Sequence, residues 1–383
     1  MKIISFLDSA SMYGKELSNI EVCRTLKDNG HEIIILYNRV ANKDLLEEIS
    51  DFKGYGVDYA REIKGHPFKR LFKYILCIYY SNIEIMRILS TENPQYVIIP
   101  TEIELLFLFP VLSKFRNIPL IFRMGDTPIC YRKRNIIGVV YEWIWKSLIL
   151  PRIDILVSIS NFVKKKAEES GRKEKNKDCV IYNFSPRRKA PQSGIINNIK
   201  NDNFIRIGYI GRIVPDKGVL ELVMACKKLY NQYPNVKLFF AGSVNHDVRY
   251  YNKITAYIKE NNLGERISFV GKISNTDGFY EEMDIIASPS VYEEPLGNVL
   301  VEAKSHHKAS IIFNRGGMPE IVEHKRTGYV CPELSVESLA EGIEFYLNHP
   351  NLIKEHGENA YRSIEELGLT KEKYTEKWLR VFN

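Results

Sequence analysis

The sequence predicts two successive α/β domains of similar size, each built on a mostly parallel sheet with helices on both faces. Three observations carry this. Short β-branched runs alternate with stretches of ten or more residues at helical period, the pattern of a sheet wound through crossover helices. Residues 183–203 then lose that period and gather Pro186, Arg187-Arg188, Pro191, Ser193-Gly194 and paired asparagines, as a linker does. From Ile205 the alternation restarts. A chain of 383 residues, 45% hydrophobic and 26% charged, has the length and apolar content for two cores, which excludes disorder and collagen-like repetition.

In order, the first half offers strands at Lys2 to Phe6, Glu32 to Leu36, Tyr96 to Pro100, Leu120 to Arg123 and Ile153 to Ser158. Helices fill 15–29, 68–91, 104–115, 135–150 and 160–170. The second half offers strands at Ile205 to Ile210, Val236 to Phe240, Ile267 to Val270, Ile285 to Ser288 and Ala309 to Phe313. Its helices fall at 218–231, 252–261, 278–282 and 298–306, followed by a polar helical tail over 336–347, 351–366 and 371–381. Trp378, Leu379 and Phe382 form a late apolar patch that needs a surface to dock on. A ligand is expected in a cleft between the two domains.

Met1 to Phe6 is too short and too quickly followed by Asp8 for a secretory signal, and no eighteen-residue uncharged apolar run occurs. The six cysteines form no CxxC pair, so reduced core thiols are expected rather than a disulfide framework or structural zinc. Together these point to the cytoplasm or the inner face of the plasma membrane. The net charge of +7 is uneven: residues 1–190 carry 31 Lys and Arg against 22 Asp and Glu. The cations gather at Lys64, Lys69, Arg70 and Lys73, at Arg132-Lys133-Arg134, and around Lys164-Lys165-Lys166. The first two groups lead into Ile75 to Tyr80 and into Ile136 to Trp145, pairing charge with large apolar side chains. An anionic membrane surface and a solvated face over core helices both fit that pattern. Nucleic acid is disfavoured, because no zinc-finger, RNP or helix-turn-helix signature accompanies the cations.

Loops at strand ends carry the chemistry. Gly211, Arg212 and Lys217 follow the strand ending at Ile210, where glycine allows close approach and two cations suit a diphosphate. Neither the Walker A nor the GxGxxG spacing is present, so an ordinary βα loop with surface cations also fits. Pro289 to Ala303 leads from a buried strand into a helix. Glu294 lies in its loop, Gly297 and Asn298 offer amides at the helix start, and Glu302 sits a turn further in, able to accept two diol hydroxyls. A capping carboxylate and a solvated glutamate are the plainer alternative. Asn314 to Val322, Ala241-Gly242-Ser243 with Val270-Gly271-Lys272, and Asp8 to Lys15 with Gly14 complete the set.

Taken together, these segments resemble the large retaining GT-B family of glycosyltransferases called GT4. The resemblance covers nearly the whole chain and is strongest over 205–330. There GY-x-GR-x-VP-x-KG, Ala241-Gly242, an E-x7-E pair at Glu294 and Glu302, and GGMPEIV followed by Gly328 come in family order. The resemblance implies two Rossmann-like α/β/α domains facing across a cleft, with a C-terminal helix crossing back to the first. It implies an acceptor-binding domain over 1–185, a linker over 186–204, a nucleotide-sugar domain over 205–360 and the returning helix over 361–383.

By the same resemblance Arg212 and Lys217 bind the donor diphosphate, Glu294 faces the sugar hydroxyls and Glu302 holds the ribose. Lys272 and Ile273 meet the base, and Gly14 sits near the diphosphate and acceptor. Gly211, Gly242, Gly297, Asn298 and Val299 complete the donor site. No cofactor is implied beyond a nucleotide-diphosphate sugar, with UDP-sugar favoured over GDP-sugar, and no metal, since cations neutralise the leaving group. The acceptor is a glycan or lipid-linked saccharide of cell-surface polysaccharide synthesis. One departure is clear: many members carry a histidine after the strand at Ile118 to Phe122, and here Arg123-Met124-Gly125-Asp126 follows. Asp126 can take its place near the sugar or acceptor, with Arg123 adding a cation; a structural role for these residues is the alternative. Two rivals remain, a non-catalytic partner of another transferase and a nucleotide-sugar epimerase or hydrolase. The first would lack turnover, and the second would need a proton-transfer base beside the sugar.

Overall fold

A computed structural model describes residues 1–12, 14–59, 67–128, 136–184, 204–274 and 276–383, with the backbone alone at 67–72 and 136–137. Residues 186–203 of the linker expected over 186–204, Lys64, Cys130 and Arg132-Lys133-Arg134 lie outside the described residues, as do the side chains of Lys69 and Arg70. Two compact units emerge: Met1–Ile181 with Thr375–Asn383, and Tyr182–Tyr374.

The first unit is a seven-stranded parallel sheet: β1 (Lys2–Leu7), β2 (Glu32–Asn38), β3 (Lys53–Val57), β4 (Tyr96–Ile99), β5 (Leu120–Met124), β6 (Ile155–Ser158) and β7 (Cys179–Val180). Their order is β3-β2-β1-β4-β5-β6-β7, which reverses between β1 and β4. Right-handed crossovers then put helices Gly14–Asp28 and Lys43–Glu48 on one face. Helices Pro67–Glu92, Glu102–Lys114 and Ile136–Ile144 lie on the other.

Strand β3 escaped the sequence reading because Lys53-Gly54-Tyr55-Gly56-Val57 is poor in β-formers. Its glycines have a packing reason: a Cβ at Gly54 would stand 3.0 Å from the Tyr37 ring on β2. The helix expected over 135–150 is interrupted by a wide π turn, Trp145–Ile149. That turn carries Trp145 into the core, where its Nε1 donates to Ser170 Oγ at 3.0 Å.

The second unit holds β8 (Ile205–Ile210), β9 (Val236–Ala241), β10 (Ile267–Gly271), β11 (Ile285–Ser288), β12 (Ala309–Phe313) and β13 (Gly328–Cys331). All run parallel in the order β10-β9-β8-β11-β12-β13, reversing between β8 and β11. Ile207, Phe240, Ile285, Ile311 and Phe313 form the middle of its core under helices Val219–Leu229 and Val336–Asn348. Helix Asn351–Glu366 packs on β12 and on helix Asn298–Ser305, so it belongs to this unit. In the last helix, Lys371–Phe382, the Tyr374 ring lies 4.7 Å from Phe184 in the second unit. Phe382 lies 4.9 Å from Tyr96 and 5.7 Å from His31 in the first.

The five described cysteines are free, and burial holds the Cys23 and Cys179 thiols up at about 11 and Cys331 at about 12. Thiols raised in this way are little ionised at neutral pH, which disfavours their reaction as nucleophiles. No helix among the described residues is long and apolar enough to cross a membrane.

Candidate active site

In a doubly wound sheet the ends of the two strands flanking the order reversal splay apart and leave a crevice. In the second unit those strands are β8 and β11, and the sequence-predicted residues gather at their carboxyl ends. Past β8, the Gly211 N–H donates to the Ala241 carbonyl at 2.9 Å, and the Gly242 N–H donates to the Gly271 carbonyl at 2.8 Å. These bonds keep the ends of β8, β9 and β10 joined beyond the sheet. Arg212 is exposed beside that joint, and its carbonyl accepts the Tyr209 hydroxyl at 2.7 Å. Burial first, and the Glu294 charge second, push the Tyr209 phenol far up, so it remains a donor.

A 3-10 turn, Pro215–Lys217, precedes helix Val219–Leu229. The Asp216 carbonyl accepts from the Val291 and Tyr292 N–H groups at 3.1 and 3.2 Å, tying this turn to the loop after β11. The tie brings Lys217 onto Glu294. Lys217 Nζ donates to Glu294 Oε1, and the buried Ser290 hydroxyl donates to the same oxygen at 2.8 Å. The two ionic side chains are only 20% and 13% exposed, so their charges interact through little water. The glycine loop after β12 fixes the Glu294 backbone. Gly316 has φ +62°, a Cβ there would stand 2.2 Å from the Glu294 carbonyl oxygen, and the Gly317 N–H donates to that oxygen at 2.7 Å.

Helix Asn298–Ser305 starts at Gly297 with no side-chain cap on its first turn. Asn298 Oδ1 accepts Asn183 Nδ2 at 2.7 Å, and Glu302 Oε2 accepts the Tyr280 hydroxyl at 2.8 Å. Tyr280 is fully buried, and burial followed by the Glu302 charge raises its phenol well above the ordinary value. Its ring stacks on His306 at 5.0 Å, and His306 Nε2 lies 3.2 Å from Asp277. Val299, Ile273 and Ile210 pack on the cluster that contains Phe239, Phe279 and Tyr280, with Lys272 exposed beside Ile273. Among the described residues no three His, Cys, Asp or Glu side chains are gathered as a metal ion would require.

Gly14 and Asp126 belong to the first unit. There a cavity of about 120 Å³ opens at the ends of β4 and β5, lined by Lys15, Thr101, Glu102, Asp126 and Thr127 among others. Asp126 Oδ1 accepts the Thr127 N–H at 2.8 Å, and Gly14 is exposed at the head of the first helix, next to Lys15. Arg123 follows the structural alternative. It is 3% exposed, and its guanidinium donates to Asn19 and Ser18, so it braces β5 on the first helix rather than offering a cation to a ligand.

The sequence reading missed Ser290, Tyr280, Tyr209 and Asn183 as site residues. Ser290 stood inside the quoted segment without a role, and Tyr280 was visible only as an apolar position of a short helix. Tyr280 and Asn183 act by hydrogen bonds to residues 22 and 115 positions away, and Ser290 and Tyr209 by bonds within a turn; periodicity encodes neither kind.

The two doubly wound sheets define a class, that of GT-B proteins. Residues 195–363, most of the second unit, match the family described as glycosyl transferases group 1. The capsular polysaccharide biosynthesis glycosyltransferase CapM of Staphylococcus aureus is 28% identical over 219 residues, 55% of this chain and 56% of CapM. A lipopolysaccharide 1,2-N-acetylglucosaminetransferase of Salmonella typhimurium is 33% identical over 166 residues, 41% of this chain and 43% of that enzyme. The chain spans about half the length of the curated relatives it matches. Among solved structures, a glycosyltransferase of Rickettsia africae superposes with TM-score 0.79 at 21% identity, covering 100% of this chain and 98% of the other. Anabaena HepE, solved with UDP and glucose, superposes with TM-score 0.79 at 17% identity, covering 100% and 99%.

Proposed function

We propose that this chain is a retaining glycosyltransferase that moves a sugar from a nucleotide-diphosphate sugar to a hydroxyl of a glycan or lipid-linked saccharide. Its work is the synthesis of a cell-surface polysaccharide, on the cytoplasmic side. The convergence of Lys217 and Ser290 on Glu294, at the strand reversal, is the observation that carries this reading. It joins a cation suited to a diphosphate with a carboxylate suited to sugar hydroxyls in one loop pair. The relatives named for capsule and lipopolysaccharide synthesis support the acceptor class. The HepE complexes with UDP and UDP-glucose support a UDP-sugar as donor.

In this mechanism the anomeric C–O bond to the diphosphate breaks as the acceptor oxygen bonds the same carbon on the leaving-group face. The acceptor proton passes to the departing phosphate oxygen. Negative charge grows on that oxygen, where Arg212, Lys217 and the amides at Gly297, Asn298 and Val299 stabilise it without a metal. Positive charge grows on the sugar ring, near Glu294. Glu302, held by Tyr280, takes the ribose hydroxyls, and Gly211, Gly242, Lys272 and Ile273 border the nucleotide. Asp126, at the cavity of the first unit, stands in for the family histidine beside the acceptor.

Calorimetric titration with UDP, GDP and ADP, beside Lys217→Ala, tests the donor site. Binding of UDP that is lost in the variant is the expected outcome. Equal binding in the variant, or no nucleotide binding at all, refutes the assignment.

A further inference from the structure

Helix Pro67–Glu92 of the first unit buries Ile85 and Leu89 toward its C-terminal end, but its middle is apolar on the outside. Its sheet-facing side buries Ser81 and Asn82, whose side chains donate to the Asp58 carbonyl at 2.6 Å and the Phe107 carbonyl at 3.0 Å. Its outer side exposes Ile75, Leu76, Tyr79 and Tyr80, at spacings that place all four on one stripe, with Tyr80 65% exposed. Helix Ile136–Ile144 repeats the arrangement, with Val139, Val140 and Trp143 exposed at the same spacing and Trp143 61% exposed. Single exposed apolar residues are ordinary. Two aromatic stripes on helices of the same sheet face, flanking Glu102–Lys114, are not.

Charge accompanies both stripes. Lys73 is exposed at the head of the first, and in the sequence Lys69 and Arg70 precede it. Arg132-Lys133-Arg134 precede the second in the sequence. The nearby acids are taken: Glu84 pairs with Arg39, and Glu142 with Lys146. The exposed stripes are therefore apolar, with Lys73 on the surface at the head of the first and further cations next to both along the sequence. A bilayer with anionic headgroups is complementary to that, accepting rings and aliphatic side chains at its interface and cations at its phosphates.

We infer that the face of the first unit carrying Ile75, Tyr79, Tyr80, Val139, Val140 and Trp143 seats the protein peripherally on an anionic membrane. The inference goes beyond the transferase reading and does not depend on it, since none of these residues belongs to the candidate donor site.

Of the three tryptophans, Trp145 and Trp378 are buried, so Trp143 reports the contact by fluorescence. The full chain is mixed with vesicles of equal parts phosphatidylcholine and phosphatidylglycerol, and with vesicles of phosphatidylcholine alone, at low and high salt. Expected are co-sedimentation and a blue shift of emission with the anionic vesicles, both weakened by salt. Tyr79→Ser with Tyr80→Ser is expected to weaken partition about tenfold or more, given what burying an aromatic side chain contributes. The substituted side chains are solvent-exposed, so melting temperature and UDP titration are expected to match the parent.

No sedimentation with anionic vesicles at low salt overturns the inference, as does sedimentation that the double variant leaves unchanged. A concentration-dependent dimer that Trp143→Ser dissolves, without vesicle binding, overturns it in favour of a second copy of the chain. Loss of UDP binding in the parent protein would instead count against the donor assignment and leave this one standing.

Discussion

Replacing Glu294 by glutamine separates two roles that the fold has placed in contact. In the ligand-free protein Lys217 is neutralised by Glu294 in a pair that is mostly shielded from water. A diphosphate must compete with that carboxylate for the ammonium. Glutamine keeps the volume and can still accept the Ser290 hydroxyl, but it removes the charge. The attraction lost is about 1–3 kcal/mol after desolvation is counted, more than an exposed pair yields and less than a bare Coulomb figure. UDP is therefore expected to bind Glu294→Gln as tightly as the parent, or up to about tenfold more tightly. Turnover with the matching UDP-sugar is expected to fall about a hundredfold or more, the scale for removing a group that stabilises a transition state. Lys217→Ala is expected to weaken UDP binding and turnover together. Calorimetry on the parent, both single variants and the double variant gives the coupling directly. Glu294→Gln weakening UDP as much as Lys217→Ala does would refute the competition.

Tyr280→Phe deletes one hydrogen bond to Glu302 and keeps the ring stacked on His306. UDP affinity is expected to fall by about 1–2 kcal/mol, with KM for the UDP-sugar rising more than kcat falls, as steady-state kinetics would read. Glu92, buried at the foot of the first sheet, accepts from Lys53 at 2.6 Å, from Tyr55 and from Lys2 at 3.2 Å, which hold its carboxyl down at about 2. A depressed carboxyl stabilises the fold above its unfolded value near 4.5 and loses that stabilisation as pH falls toward 2. Thermal melts from pH 6 to 2 are expected to show a smaller acid loss in Glu92→Gln than in the parent, about a few degrees apart. Lys304 is 2% exposed, donates to Ser363 at 2.6 Å, and is pushed down to about 8 by burial first. It carries a protonation penalty at neutral pH that is relieved between about 8 and 10.5, so stability rises with pH there. Lys304→Met is expected to raise the Tm at pH 7 and to flatten that alkaline rise, read by calorimetry.

What the sequence disclosed follows the range of the forces involved. Strands such as Ile205–Ile210 and Ile285–Ser288 are compact β-branched runs, and their burial on both sides writes them plainly. Lys53–Val57 is an edge strand whose glycines answer to Tyr37 on another strand, so nothing local marks it. At the site, Gly211, Lys217 and Glu294 were legible because loops at strand ends favour a few residue types. That Lys217 lands on Glu294, 77 residues away, was not, since it depends on the strand order. Arg123 stayed ambiguous for the same reason. A cation after a strand looks available until a helix 104 residues earlier supplies Asn19 to hold it.

The last helix gives the order of synthesis a meaning. Phe382 covers Tyr96 and His31 in the first unit, yet 193 residues of the second unit, Tyr182–Tyr374, are made between them. While the second unit is being made, the first stands with its Tyr96 edge bare, a half-finished surface open to chaperones or to another nascent chain. Proteolytic clipping just past Tyr374 would recreate that condition in the finished molecule. The loosened part would be the first unit, far in sequence from the cut.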